Sequence, residues 1–265
     1  MASFFGEVLP VSSRAVDDDD DEDETVLAEQ KIKFEWVSNS DTAKDVKPVQ
    51  CKHFIIAVGN TASAFVEVYM LSNGSENNFT LKMQSEANDD DPYQKSQKLL
   101  FPLHQIKDVV ILVCKETVPS EYSFMFTEKL FEQVKIGSGD VCVLCSAPVN
   151  DYRCSSAVSE LNVPFLRSLS TSAITSQPVS PYLEQPNTVS SLPAQVLTYC
   201  EVHQFKAVLY QTFTETVYLD ADSVKSFKKA VASIPLSQKL LEDVDTKEKL
   251  VKLTSSHAQK NLLYL

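Results

Sequence analysis

Hydrophobic and polar residues follow one another along this chain in patterns that predict strands and helices in turn. Ile32, Phe34 and Trp36 alternate with polar residues, as in a half-buried strand. Further strands are predicted at residues 52–58, 79–83, 108–115, 140–147 and 206–213. Most of these segments are apolar on both faces, which is typical of strands in a parallel sheet that helices cover on both sides.

Helices are predicted where apolar residues recur every three or four positions. Tyr122, Phe126, Leu130 and Val134 form the clearest stripe of this kind. After it, Gly137–Gly139 is predicted to turn the chain into the strand at 140–147. Other helices are predicted at 61–71 with Thr61 as its cap, after Ser190 or Ser191, and at 221–232, 236–243 and 245–259. The order of elements predicts an α/β fold with a largely parallel sheet and helices on each side.

Composition divides the chain into three parts. Residues 1–30 are predicted to be a disordered acidic tail that carries Phe4 and Phe5, residues 31–260 a single α/β domain, and residues 261–265 a C-terminal anchor. Within the domain, residues 155–193 contain 18 Ser, Thr or Pro residues among 39. Segments this long without periodicity are usually functional or disordered. Its apolar groups at 164–166 and 182–183 are expected to dock it on the domain.

The net charge of −12 comes mostly from one short segment. Asp17 to Glu24 are eight consecutive acidic residues, and outside them 24 basic residues face 28 acidic ones, a net charge of −4. Like charges in a run repel one another and bury no apolar surface, so a solvated tail is expected here. The acidic balance also argues against nucleic-acid binding, which needs a basic surface.

The sequence offers little to support catalysis. Only 5 glycines occur in 265 residues, which argues against a phosphate-binding loop, and the Gly-x-Ser-x-Gly of a nucleophile elbow is absent. His53 lies inside a buried strand pattern, where a core histidine is more frequent than a catalytic one. Gly59 and Asn60 stand between a strand and a helix, where anions can bind, yet such turns need glycine for structural reasons. We therefore predict no catalytic residues and no cofactor.

The six cysteines are predicted to be buried thiols in a reducing compartment. The N-terminus lacks the features of a signal peptide, and no stretch is long enough for a membrane helix. Cys142 and Cys145 match a Cys-x-x-Cys pattern, but residues three apart in a strand point to opposite faces, so no metal or redox pair is expected. A cytoplasmic location is predicted, with the nucleus and the endoplasmic reticulum surface as further locations.

The chain ends in Leu263, Tyr264 and Leu265, which combine a hydrophobic residue, a tyrosine and a final residue with an α-carboxylate. Pockets can capture such ends by holding the carboxylate with a cation or with backbone amides. The tyrosine adds a large apolar body with one hydroxyl. Taken alone, the same residues also fit a frayed chain end.

Several stretches also occur in a recognisable order from end to end of the chain. They are Phe4–Val8 before the acidic run, Phe54–Asn60, Pro164–Leu169, Leu183–Asn187, Leu192–Val202, Ala207–Tyr210 and Leu263–Leu265. Together they resemble the family of proteasome α-ring assembly chaperones, with residues 25–50 and 72–140 matching only loosely.

The resemblance implies a three-layer α/β/α sandwich with a mostly parallel central sheet, and a cytosolic chaperone without catalytic activity. The family member pairs with proteasome assembly chaperone 2, and the heterodimer sits on the outer face of the proteasome α-ring while the 20S core particle assembles. Its C-terminal hydrophobic-Tyr-X motif enters a pocket between α-subunits, where a lysine meets the carboxylate. Carried over to this chain, Leu263 is the hydrophobic wedge, Tyr264 the anchor and Leu265 the carboxylate donor.

Phe4 and Phe5 indicate a second contact, because two aromatic residues on an acidic tether look like a short linear motif. We expect the tail to contact assembly intermediates, with the central pore of the ring as one route. Two alternatives stay open at this point. One is an enzyme of nucleoside-phosphorylase type that uses the carboxyl ends of the strands, and the other is a protein-interaction scaffold unconnected to proteasomes.

Overall fold

A computed structural model describes residues 32–38, 48–71, 76–85, 98–154, 161–215, 219–232 and 248–255. Its strands in chain order are β1 (Ile32–Ser38), β2 (Val49–Val58), β3 (Glu76–Ser85), β4 (Lys98–Ile106), β5 (Val109–Cys114), β6 (Val134–Pro148), β7 (Phe165–Ser170) and β8 (Lys206–Thr214). Its helices are α1 (Asn60–Tyr69), α2 (Ser123–Gln133), α3 (Ser191–Val202), α4 (Ala221–Lys225) and α5 (Lys228–Val231). Residues 248–255 are helical as well.

The strands form one sheet that is parallel at its centre and antiparallel towards both edges. Its order is β1-β3-β4-β5-β2-β6-β8-β7. The β5–β2, β2–β6 and β6–β8 pairs are parallel, whereas β1–β3, β3–β4, β4–β5 and β7–β8 are antiparallel. The expectation of a mostly parallel sheet is therefore correct for the four central strands and wrong for the additions at the edges. Apolar runs reveal that a strand is buried, but not in which direction it runs.

Two helical layers cover the sheet, which confirms the three-layer α/β/α architecture. On one face, α2 and α3 pack Phe126, Leu130 and Val196 into a large apolar cluster with the sheet. On the other face, α1, α4 and α5 build a second cluster, in which the ring centroids of Phe65 and Phe227 lie 5.7 Å apart. All six residues of β5 are buried because the strand contributes to both clusters.

A bulge in β6 replaces the turn that the sequence predicts. Helix α2 passes directly into β6, and Gly137 and Gly139 lie inside the strand. Where β6 pairs with β2, the register shifts between Cys51 and His53, so that extra β6 residues bulge opposite Lys52. A Cβ atom at Gly139 would lie 1.6 Å from the carbonyl oxygen of Lys52. Glycine is thus required here because the two backbones are in direct contact.

Other predicted elements are confirmed with changes. Strands β4 and β7 appear where none was predicted, and the helix expected at 221–232 is divided into α4 and α5. Helix α1 begins at Asn60, so Thr61 lies inside it and does not cap it. The helix predicted at 236–243 and the boundaries of both tails lie outside the described residues, so the division into tail, domain and anchor stays a prediction. None of the described helices is long and apolar enough to cross a membrane.

Candidate functional site

The helical segment 248–255, which precedes the C-terminal tail, is attached to the domain. Leu250 is 5% exposed within the cluster of α1, α4 and α5, and Leu253 packs half-buried against the same cluster. Thr254 Oγ1 donates hydrogen bonds to the carbonyl oxygens of Leu250 and Val251 at 3.0 and 3.1 Å. The segment before the tail therefore starts from a defined position on one helical layer.

Both predicted binding segments lie outside the described residues. Leu263, Tyr264 and Leu265 are eight to ten residues beyond the last described position, and Phe4 and Phe5 precede the start of β1 by 28 and 27 residues. Ten extended residues reach at most about 35 Å, so the C-terminal triad can contact only a partner close to the helical layer that carries segment 248–255. The binding roles of these five residues stay predictions.

The carboxyl ends of the parallel strands, where an enzyme of this fold class would bind its substrate, form a small polar cavity. It measures about 150 Å³ and lies between the ends of β6 and β8 and the start of α3. Ser146, Asn187 and Gln211 supply polar groups, and Asp151 is the one charged residue among the described residues that line it. A carboxylate repels phosphate, and this lining contains no histidine, lysine or arginine. The side chains that line the cavity therefore supply no positive charge for a phosphate and no acid–base pair.

The turn at Gly59 has a structural purpose. Gly59 has a φ angle of 86°, which other residues rarely adopt. Its N–H donates to the carbonyl oxygen of Cys114 at 2.8 Å, and its carbonyl accepts the N–H of Ser63 at 3.0 Å. These bonds connect β2, β5 and α1, so the N–H of Gly59 is already used within the fold.

The thiols are placed for packing. Cys145 belongs to the apolar cluster under α2 and α3, and Cys142 belongs to the cluster on the opposite face, which confirms that this pair is divided across the sheet. Burial raises the pKa of both thiols to about 12, so they stay neutral near pH 7. Cys154 is exposed, which corrects the prediction that all six are buried. Among the described residues, no three ligating side chains come together in a way that could hold a metal.

Two of the described histidines, His53 and His104, lie apart in the sheet and have different surroundings. His53 is half-buried and lines a cleft at the amino ends of the parallel strands, which corrects its assignment to the core. His104 on β4 is half-buried with no hydrogen-bond partner at its buried Nδ1 atom. Burial lowers the pKa of His104 and keeps its ring neutral.

A polar cluster around Glu184, which we call the Glu184 network, holds part of the Ser/Thr/Pro-rich segment on the domain. Glu184 accepts hydrogen bonds from Tyr152 Oη at 2.5 Å and from Arg167 Nε at 3.1 and 3.2 Å. The Arg167 guanidinium also lies over the Tyr152 ring, 5.4 Å from its centroid. Asn187 Nδ2 donates to the carbonyl oxygens of Arg153 and Glu184, both at 2.8 Å.

Burial and hydrogen bonds within the Glu184 network determine the charge of Glu184 and of Tyr152. Burial opposes ionisation of Glu184, but the hydrogen bonds from Tyr152 and Arg167 outweigh it and lower the pKa of this carboxyl group. Burial and the hydrogen bond to Glu184 raise the pKa of the Tyr152 hydroxyl. The ionised carboxylate of Glu184 therefore accepts hydrogen bonds from the neutral hydroxyl of Tyr152 and the positive guanidinium of Arg167. This arrangement stabilises the loop and does not prepare any of the three groups for proton transfer.

The Glu184 network explains two of the stretches that carried the family resemblance. Arg167 belongs to Pro164–Leu169, and Glu184 and Asn187 belong to Leu183–Asn187. The apolar docking predicted for 164–166 is confirmed, because the rings of Phe165 and Phe213 stack with centroids 5.2 Å apart. The docking predicted for 182–183 is confirmed at Leu183, which packs half-buried against the cluster that contains Phe213, and is wrong for Tyr182, which is 48% exposed. Sequence reasoning missed the network because its members are up to 35 residues apart.

Comparison with known proteins then identifies the family. A family model labelled PAC1, whose description is "Proteasome assembly chaperone 4", matches residues 1–265. The chain belongs to this family of proteasome assembly chaperones. Relatives named "Proteasome assembly chaperone 1" from Danio rerio and Xenopus tropicalis are 35% and 34% identical, over 92% and 99% of this chain and 94% and 99% of their own length. The Homo sapiens relative of that name is 28% identical over 98% of this chain and 99% of its own.

Solved structures of proteins with low sequence identity share the fold of this chain. Pyrococcus furiosus PbaA, described as an archaeal homolog of proteasome-assembly chaperone, has a TM-score of 0.56 and 8% identity over 88% of this chain and 91% of its own. A Thermoplasma acidophilum protein of unknown function has a TM-score of 0.52 and 13% identity over 81% and 85%. At these identities the likeness shows the fold alone, so the family membership rests on the sequence relatives.

Proposed function

We propose that this chain is a chaperone of 20S proteasome assembly without catalytic activity, and that it acts as a heterodimer with proteasome assembly chaperone 2 on the outer face of the α-ring. The observation that carries the proposal is the relatedness, over nearly the whole chain, to proteins named "Proteasome assembly chaperone 1". The proposed location is the cytoplasm, with the nucleus and the endoplasmic reticulum surface as further locations.

In this proposal the C-terminal residues dock in a pocket between neighbouring α-subunits. Leu263 fills the apolar part of the pocket, Tyr264 anchors the tail and Leu265 offers its carboxylate to a pocket lysine. Burial of one large apolar side chain contributes about 1.5–3 kcal/mol, whereas a micromolar complex requires about 8 kcal/mol. The tail therefore needs a second contact, and the companion chaperone supplies it by raising the effective concentration of both tails.

The attachment of segment 248–255 supports this role. Leu250 and Leu253 fix the segment to the domain, so the tail loses less conformational freedom on docking than one that starts from an unattached chain. Attachment by several weak contacts also suits a chaperone that must leave the finished ring. While it is bound, the tail excludes other proteins that use the same pocket.

Two structural observations support the absence of catalysis. The cavity at the carboxyl ends of the strands measures about 150 Å³ and has Asp151 as its charged lining residue, which is unfavourable for a phosphate or a nucleoside phosphate. The thiols of Cys142 and Cys145 are neutral because burial raises their pKa to about 12. A thermal-shift measurement with nucleosides and phosphate tests the enzyme alternative, and this proposal expects no stabilisation.

Phe4 and Phe5 supply the second part of the proposal. The aromatic pair contacts assembly intermediates, with the central pore of the α-ring as its route. Crosslinking from position 4 or 5 within an assembling particle tests this contact. Crosslinks to α-subunits around the pore support it, and crosslinks confined to the solvent side of the ring contradict it.

Affinity purification with mass spectrometry tests the proposed function as a whole. A tag at the N-terminus leaves the C-terminal residues unmodified. We expect proteasome α-subunits and one companion of similar size to be recovered. The matched Tyr264→Ala variant should keep the companion and recover fewer α-subunits, because the tail and the heterodimer contact are separate in this proposal. Recovery of neither α-subunits nor a companion would show the proposal to be wrong.

A further inference from the structure

A second cavity, which we call the amino-end cleft, lies at the amino ends of the parallel strands. It measures about 240 Å³, and its floor consists of Cys142, Val208 and Tyr210. The segment 174–179 forms one wall, and Ala230 of α5 forms part of the other. An apolar cavity of about 150 Å³ can hold a benzene molecule, so the amino-end cleft has room for a phenyl side chain.

Hydrogen bonds from Ser168 to the two residues that follow segment 174–179 hold this wall in place. Ser168 Oγ on β7 donates to the carbonyl oxygens of Ser180 and Pro181 at 3.0 and 3.2 Å, and the Ser168 N–H donates to Pro181 at 2.9 Å. Val179 is nevertheless 53% exposed at the entrance. An apolar side chain that the fold keeps at the mouth of a preformed cleft is typical of a binding site.

Lysine residues flank the amino-end cleft on two sides. Lys206 on β8 is the register partner of Asp140, which lies on the rim together with His53. Lys229 stands in α5 directly before Ala230, which lines the cleft, whereas the Lys228 ammonium lies over the Tyr69 ring, 4.6 Å from its centroid. Lys206 and Lys229 are exposed, and the carboxylate of Asp140 is the negative charge in the cleft lining. The surroundings therefore suit an occupant with an aromatic end and an acidic continuation.

We propose that the aromatic pair Phe4–Phe5 of this same chain occupies the amino-end cleft, with the acidic run Asp17–Glu24 near the flanking lysines. One segment of the sequence combines two adjacent aromatic residues with eight consecutive acidic residues, which matches the cleft in both polarity and charge. Phe5 precedes Ile32 by 27 residues, a length that reaches roughly 90 Å when extended. Strand β1 lies five strand spacings from β6, about 24 Å, so the tail is long enough.

The contact gives the free chain a way to conceal its aromatic pair until a partner competes for it. Water-exposed aromatic residues favour non-specific association, and a weak intramolecular contact prevents this without blocking a stronger intermolecular one. Because the contact forms within the isolated chain, it can be tested independently of the proposed role on the α-ring.

Photo-crosslinking in the purified full-length chain tests the proposal. A photoreactive phenylalanine analogue replaces Phe5, and equal amounts of isotopically light and heavy chains are mixed before irradiation. We expect crosslinks to segment 174–179 or to α5 within a single chain. Crosslinks that join light and heavy chains would assign the cleft to a second copy and overturn the proposal, as would crosslinks scattered over the surface.

A matched pair of variants shows whether the cleft itself is responsible. Val179→Asp places a carboxylate at the entrance, which disfavours both an apolar ring and an acidic tail, and should lower the crosslink yield about tenfold. Phe124→Asp on α2, where Phe124 is 53% exposed like Val179, adds the same charge to the opposite helical layer and should leave the yield unchanged. Equal yields in the two variants would refute the assignment, and thermal unfolding of both confirms that they are folded.

Discussion

One methyl group added at Gly139 would force apart the two backbones at the centre of the sheet. In Gly139→Ala, the new Cβ atom would lie 1.6, 2.4 and 2.8 Å from the carbonyl oxygen, the carbonyl carbon and the Cα atom of Lys52. All three are backbone atoms, so no side-chain rotation relieves the overlap. Strands β2 and β6 must therefore separate where they form the central parallel ladder.

The cost follows from the position of this bulge. Overpacking in a well-packed interior typically costs 1–3 kcal/mol, and here the backbone shift also disturbs ladder hydrogen bonds, each of which contributes about 1 kcal/mol. We expect a loss of at least about 3 kcal/mol in the free energy of unfolding. Gly137→Ala is the matched control, because no atom lies within 4 Å of a Cβ at Gly137. Its effect should be within about 1 kcal/mol of zero.

Urea unfolding followed by tryptophan fluorescence measures this difference. The chain has a single tryptophan, Trp36, whose Nε1 donates to the carbonyl oxygen of Lys129 at 3.3 Å. It therefore reports the packing of α2 on the antiparallel part of the sheet, remote from the substituted bulge. If Gly139→Ala is as stable as Gly137→Ala, the backbones of Gly139 and Lys52 do not approach each other as closely as described here.

Three further predictions concern local interactions. Asp220→Ala removes the side chain that accepts the N–H groups of Asp222 and Ser223 at 2.9 and 2.8 Å at the start of α4; calorimetry should show a loss of about 1 kcal/mol, and an unchanged stability contradicts the cap. The pKa of Glu184 is lowered in the folded state, so its contribution to stability is present above its ordinary pKa and is lost as the pH falls through the folded value. Glu184→Gln should reduce the acid-side loss of stability by about 0.2–1 kcal/mol, and an identical acid-side pH profile refutes it. A thiol reagent at pH 8 should modify exposed Cys154 and leave the five buried thiols unmodified until the chain unfolds; mass spectrometry that finds Cys142 or Cys145 modified in the native chain contradicts their burial.

The sequence pattern predicts the central elements and misses those whose signals are weak or conflicting. Strands β2, β5, β6 and β8 are apolar runs because both of their faces are buried. Strand β4 contains Pro102, which argues against a strand, yet Pro102 pairs only with β3, since the β5 ladder begins at Leu103. Strand β7 is short, lies at an edge and is half polar, because Ser168 uses its hydroxyl to hold the neighbouring loop.

The candidate sites also differ in how readily the sequence predicts them. The terminal triad of Leu263, Tyr264 and Leu265 can be recognised in the sequence because a linear motif is local. The Glu184 network and the amino-end cleft cannot, because they combine residues that are far apart in sequence and meet only in the folded sheet. The sequence pattern predicts a turn at Gly139 for a related reason: a glycine that permits close approach of two backbones resembles a turn glycine until its partner strand is known.

The proposed function depends most on the binding of the C-terminal residues to the proteasome α-ring. The most direct test is the affinity for isolated α-rings of the chain paired with proteasome assembly chaperone 2, compared with two variants, Tyr264→Ala and a chain with one residue added after Leu265. We expect each change to weaken binding by about tenfold or more, because Tyr264→Ala removes an apolar anchor worth at least about 1.5 kcal/mol and the added residue displaces the carboxylate from its position at Leu265. Affinities equal to that of the unmodified chain would contradict the claim.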